Sequence, residues 1–353
     1  MNKYIFIQYI IIITSVFSAC NSNKEYEHTQ SFTLQSFKQT KTLEGKSVSF
    51  EEPVKRPVHI YTIDSFLVLI NMRTDLFIDR YNLNTLEKTG EYISFGNGPD
   101  EMIAPKHVIV QDSDVCILDR GKQKLAIYNK FDFCHNQSPV LKKTINFKDF
   151  VSNIQLLKNG TIVTTIHSPE HQRLSFFNLN GEFIETKGEY PIIKNNELNT
   201  IQKMAGYECS IVANEEKDKI FVAYNYTDLI EIYDMKGNLI TRKQGPEGFF
   251  PSIIIHNNGN EQTIGFEKGK SKDGYFSPIA YKNEIYVLYS GKIYDPDNYD
   301  FNNDFLFVFD WDGNPIRIYN LDTPIFSFTI DPKTDRLYGI TNEPEYHIVM
   351  MQL

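Results

Sequence analysis

A chain of 353 residues with 41% hydrophobic and 23% charged side chains can bury a substantial core, which excludes an intrinsically disordered protein. Its formal net charge of -9 argues against nucleic acid as a partner, because duplex binding draws most of its affinity from Lys and Arg neutralising phosphates. Aromatic residues reach 14%, nearly all Phe and Tyr, and with many Ile, Val and Thr they favour pleated strands, so the expected fold class is all-β.

The chain opens on a leader. Lys3 precedes an Ile-rich apolar run from Tyr4 to Phe17, followed by Ser18, Ala19 and Cys20, so residues 1–19 read as a signal peptide. The run is too short to span a bilayer comfortably, and no other stretch approaches the roughly 18 apolar residues of a membrane helix. Phe17-Ser18-Ala19-Cys20 resembles the lipobox of bacterial lipoproteins, departing from it at Phe17, where Leu is usual. That resemblance implies lipid attachment at Cys20 and a membrane partner through the anchor. Residues 20–30 are polar and read as a tether, leaving 31–353 as one domain. Lys24-Glu25 with Glu27 faintly resembles the acidic export signal of surface lipoproteins in Bacteroides relatives, so the anchored domain could face the periplasm or outward.

A degenerate unit then recurs: an apolar strand, a short polar turn, and a second apolar strand ending in an aromatic residue with Asn or Asp. The copies start at Phe66, Val115, Thr161, Lys219, Glu284 and Arg336. These spacings are close to the roughly 40–50 residues of a four-stranded propeller blade, the longest needing insertions. Asn180-Gly181 and Lys236-Gly237 supply the positive φ of tight hairpins. The fifth copy is interrupted by a polar insertion, Gly291 to Asp304. The sixth ends after its third strand, which would leave an open sheet edge. Ser31-Phe32-Thr33-Leu34 and Ser47-Val48-Ser49-Phe50 both alternate, and either could add to that blade and close the ring. The one expected helix lies within Pro191 to Met204.

With the lipobox, six units and the junction Gly98-Pro99-Asp100-Glu101, the chain resembles TolB-like six-bladed β-propeller lipoproteins of Bacteroides and relatives. The junction is similar to a Gly-Pro-Gly-Glu turn of that family, with Asp100 replacing its second glycine. Gly245-Pro246-Glu247-Gly248 is a weaker echo. The resemblance implies a propeller in the cell envelope and no particular reaction. NHL-repeat proteins and calcium-dependent lactonases share the scaffold, so fold alone does not choose between binding and hydrolysis.

No catalytic, cofactor or metal residue is assigned from the sequence. Gly-x-Ser-x-Gly is missing. Ser271-Lys272-Asp273-Gly274 nearly matches a sialidase Asp box but brings its glycine one residue early and lacks the Trp, so it reads as a polar loop. His167 and His171 have helical ligand spacing, but Pro169 lies between them. Asp295, Asp297, Asp300 and Asp304 could offer oxygens to calcium, yet they lack the EF-hand pattern and read as a solvated loop. Trp311 reads as packing, although Tyr286, Tyr289, Tyr294 and Tyr299 could add to an aromatic surface. Cys116, Cys134 and Cys209 allow at most one disulfide, and Cys116 reads as a buried thiol.

The resulting expectation is a monomeric, lipid-anchored envelope binding module whose loops on one propeller face recognise a protein or glycan. The alternative is a divalent-metal-dependent hydrolase or lactonase with its site in the central channel.

Overall fold

Apolar runs such as Val115 to Leu118 and Phe305 to Phe309 lack the polar alternation of a half-solvated strand, and each is buried on both faces. The computed structural model, which describes residues 25–166, 172–258 and 261–353, shows how. Six antiparallel sheets stand side by side, and successive residues of a middle strand point into different junctions. Ile162 packs toward blade two while Val163 packs toward blade four. Val287 faces blade four and Leu288 faces blade six. The core is thereby divided into six clusters, one at each junction between blades.

Blade one comprises Pro57–Ile63, Phe66–Asn71, Leu76–Asn82 and Lys88–Ser94. Blade two comprises Pro105–Gln111, Asp114–Asp119, Lys124–Asn129 and Leu141–Asn146. Blade three is Val151–Leu156, Ile162–Ile166, Leu174–Phe177 and Phe183–Lys187. Blade four is Cys209–Asn214, Lys219–Tyr224, Leu229–Tyr233 and Leu239–Gln244. Blade five is Tyr275–Tyr281, Glu284–Tyr289, Asn303–Phe309 and Pro315–Ile325. Blade six contributes Ser327–Asp331, Arg336–Thr341 and His347–Gln352. The first strands of successive blades touch in order, and the sixth touches the first, so they ring a central channel.

The N-terminal segment closes the ring as expected, through Lys46–Ser47, which pairs antiparallel with His347–Gln352 as the outer strand of blade six. The other candidate goes elsewhere: Gln30–Ser31 adds a parallel fifth strand to blade four, and Gln39–Leu43 does the same for blade five. The helix expected from Pro191 begins only at Thr200 and runs to Gly206. Asn199 caps it by accepting from the Gln202 amide, while Ile193 forms bridges with Tyr26 and Asn196. A second helix, Lys130–His135, was not expected; Asn129 caps it, and the buried Arg80 guanidinium donates to Phe133 O at 2.6 Å. A two-stranded hairpin, Ile253–Asn258 with Glu261–Phe266, is inserted before blade five.

Candidate functional site

The insertions choose a face. Because blades are antiparallel, the start of each first strand and the turn between second and third strands lie at the same end of the ring. The helix Thr200–Gly206, the hairpin Ile253–Phe266 and the blade-five insertion from Gly291 to Asn302 all emerge there. The opposite face is made of short turns, with Asp64, Asp112, Gly181, Gly237 and Gly313 at positive φ, apart from the helix Lys130–His135. Variable loops on a rigid ring are where a propeller carries function.

Polar side chains on the first strands stitch neighbouring blades around the channel. Tyr61 donates its hydroxyl to Lys106 O at 3.1 Å, and Asn153 donates to Cys209 O at 2.6 Å. Gln155 donates to Ile211 O, and Thr62 donates to Ile330 O at 2.9 Å. The His107 ring reaches the backbone of Ile154 in blade three. Buried polar groups in the channel wall are thus used to fix the register of the ring.

At the insertion-bearing mouth, the wall becomes cationic. Lys106 and His107 begin the first strand of blade two, His59 lies in that of blade one, and Arg120 follows the second strand of blade two. Confinement within the ring pushes His59 down to about 3, helped by Lys106, His107 and Arg120. Confinement and Lys106 push His107 down to about 4. Lys106 falls to about 8 through the same confinement and the Arg120 charge, although Glu208 opposes the fall. Arg120 stacks its guanidinium over the Phe150 ring, 5.0 Å from the centroid.

An aromatic strip adjoins this mouth. Tyr226 is within electrostatic reach of Glu208 on one side and of Asp273 and Tyr294 on the other. Its ring meets Phe266 at 4.1 Å, Phe266 meets Tyr294 at 5.6 Å, and the series continues through Tyr299 to Phe301, which is 56% exposed. Tyr299 donates to the Asp273 carboxylate at 2.8 Å, and burial raises that carboxyl to about 6. Tyr226, from blade four, Phe266, from the hairpin, and Tyr294, Tyr299 and Phe301, from blade five, therefore form one surface.

A family model described as TolB-like 6-blade propeller-like matches residues 31–333. The chain belongs to this family. Similar solved structures include a member of the DUF4221 family from Bacteroides vulgatus, with TM-score 0.55 and 12% identity, covering 88% of this chain and 98% of that one. A protein of Bacteroides fragilis named as exported gives TM-score 0.55 and 12% identity, covering 89% of this chain and 98% of its own. Raptor from Chaetomium thermophilum matches at TM-score 0.51 and 10% identity over 88% of this chain and 29% of that one. These likenesses carry the fold alone. No curated protein matches the sequence.

In this TolB-like propeller, the junction motifs are structural. Glu101 accepts from the Gly98 amide at 2.7 Å, while Lys122 and Lys124 donate to Gly98 O and Pro99 O. In the second junction, Asp228 accepts from the amides of Glu247, Gly248 and Phe249. Burial still raises the Asp228 carboxyl to about 6 against those bonds.

Ser271-Lys272-Asp273-Gly274, read from the sequence as a polar loop, lies outside the regular strands, with part of its polar surface turned inward. Ser271 and Asp273 are buried, and Gly274 enters blade five with its amide on Asn225 O, because this segment is the crossing between blades. Tyr294 and Tyr299 do join an aromatic surface, whereas Tyr286 and Tyr289 are buried strand residues and Trp311 packs between blades four and five. Asp295 and Asp297 pair with Lys268, and Asp300 and Asp304 pair with Lys292. Among the described residues, no group of three His, Cys, Asp or Glu side chains could hold a metal ion. The three described cysteines are free and buried. Cys20, the leader, His167 and His171 lie outside the described residues.

Proposed function

We propose that the protein is an exported module of the cell envelope, anchored by a lipid on Cys20, that holds a protein or glycan partner on its insertion-bearing face. The observation that carries this reading is the run of rings from Tyr226 to Phe301. It is assembled from three separate chain segments beside the channel mouth and is open at Phe301. Aromatic rings offer large contact area at little entropic cost and recur in binding surfaces. The lipobox-like Phe17-Ser18-Ala19-Cys20 supports the anchor. A similar fold in a Bacteroides protein named as exported fits the location.

The test is capture on immobilised polysaccharides and envelope fractions by the native chain and by a Tyr294→Ala/Phe301→Ala variant. Capture lost in that variant and kept in Asn180→Ala, on the opposite face, supports the reading; equal capture by all three overturns it. For the anchor, Cys20→Ser should move the protein from the membrane fraction to the soluble one.

A further inference from the structure

The chain enters the ring along a strap whose start is pinned. Tyr26 is fully buried in the junction between blades three and four, where its hydroxyl hydrogen-bonds with Thr227 Oγ1 at 3.0 Å and its ring meets Phe250 at 4.8 Å. Its neighbours bond to the segment that leaves the last strand of blade three: the Glu27 amide donates to Ile192 O at 3.0 Å, and the Lys194 amide donates to Glu25 O at 2.8 Å. The Glu25 carboxylate also pairs with Lys194, and Arg242 donates to Glu27 O at 3.0 Å. Glu25 is therefore held at the outer corner of blades three and four, at the insertion-bearing end. Ile192 projects from the same corner, 47% exposed between the buried Pro191 and Ile193. Five covalent steps separate Glu25 from Cys20, so no path carries Cys20 more than about 17 Å away.

We propose that the pinned strap holds this corner of the ring against the lipid surface in which Cys20 is anchored, with Ile192 facing the headgroups. This rests on the reading of Cys20 as the lipid site, and it adds an orientation that the anchor alone leaves open. An acylated Cys20 stays at the bilayer surface, and the covalent ceiling keeps Glu25 within about 17 Å of it, so the ring cannot turn this corner away. Blade one lies across the ring from blade four, and its turns are carried away from the lipid. One Ile side chain contributes only about 1.5–3 kcal/mol when buried, too little to hold the corner by itself, so the tether length decides the orientation. The insertions emerge at the same end of the ring, so a partner held there meets the protein at the lipid surface and not at the tip of a stalk.

The test uses the full lipidated chain in vesicles of phosphatidylethanolamine and phosphatidylglycerol that carry doxyl-labelled lipid. A bimane is placed on Ile192→Cys or, for comparison, on Asn84→Cys in an exposed turn of blade one. Cys116, Cys134 and Cys209 are buried, so the introduced thiol takes the label. The doxyl lipid should quench position 192 at least about threefold more than position 84. A Gly-Ser insertion of about 20 residues between Lys24 and Glu25 lifts the ceiling to about 85 Å, and it should bring the two positions to the same level. Equal quenching at the two positions in the chain of native length overturns the proposal, and so does quenching at 192 that survives the insertion; both results leave the anchor standing. A chain of native length that does not float with the vesicles overturns the anchor reading itself, and this proposal with it.

Discussion

Ser47 stands opposite Val349, so a residue near the start of the folded domain closes its last blade. The next residue fixes the closure: the Val48 amide donates to Ile348 O at 2.8 Å. Val48→Pro removes that donor, and the expected loss is about 1–3 kcal/mol, since a ladder bond goes and its carbonyl is left without a partner. Urea denaturation of the variant should show a lower midpoint. An unchanged midpoint would mean that three strands suffice for blade six.

The blades were legible in the sequence and the edges were not, for one physical reason. Residues such as Val287 and Leu288 serve two junctions, so a middle strand is largely apolar at successive positions and announces itself. The added strands Gln30–Ser31 and Lys46–Ser47 are exposed at each residue and use mainly backbone bonds, which leave no hydrophobic pattern. Ser31–Leu34 and Ser47–Phe50 therefore looked equivalent. The channel mouth was missed because its members come from two blades and acquire meaning only when the ring closes. The available signal was Lys106-His107 directly after Pro105, a charged and titratable pair opening an otherwise apolar strand. The aromatic surface was half visible in Tyr294 and Tyr299, but Tyr226 and Phe266 lie in other segments.

Glu231 is completely buried in blade four, where it accepts from Tyr224 Oη at 2.5 Å, Tyr233 Oη at 2.7 Å and Arg242 Nε at 2.5 Å. Glu231→Gln removes the charge that compensates Arg242, and the expected loss is about 3–5 kcal/mol, the usual effect of orphaning one member of a buried pair. Replacing both Glu231 and Arg242 with Leu should cost less than the single change. A single substitution without effect on urea stability would show that water reaches Arg242.

Asp119 ties the blade-two turn to the crossing from blade one. Its carboxylate accepts from the amides of Ile103, Ala104, Gly121 and Lys122 at 2.9–3.3 Å. Asp119→Asn keeps one acceptor oxygen and loses the charge, and should cost about 1–3 kcal/mol. The urea midpoint of the variant should fall accordingly. An unchanged midpoint would mean that the neutral amide satisfies these donors as well as the carboxylate does.

His59 gives the channel an acid sensitivity with a definite sign. Its folded value near 3 lies below the ordinary 6.5, because confinement and the charges of Lys106, His107 and Arg120 oppose a further proton. Between these values the unfolded chain binds more protons than the folded one, so stability is fully present above about pH 6.5 and is lost as pH falls toward 3. Asp228 and Asp273, both raised to about 6, act in the opposite direction over part of that range, which makes the native profile alone ambiguous. The difference between native chain and His59→Gln isolates the imidazole. The urea midpoint of the variant should fall less than that of the native chain between pH 7 and pH 4.5, and the two should run parallel above pH 7. Parallel curves over the whole range would mean that His59 takes up its proton in the folded ring as readily as in the unfolded chain.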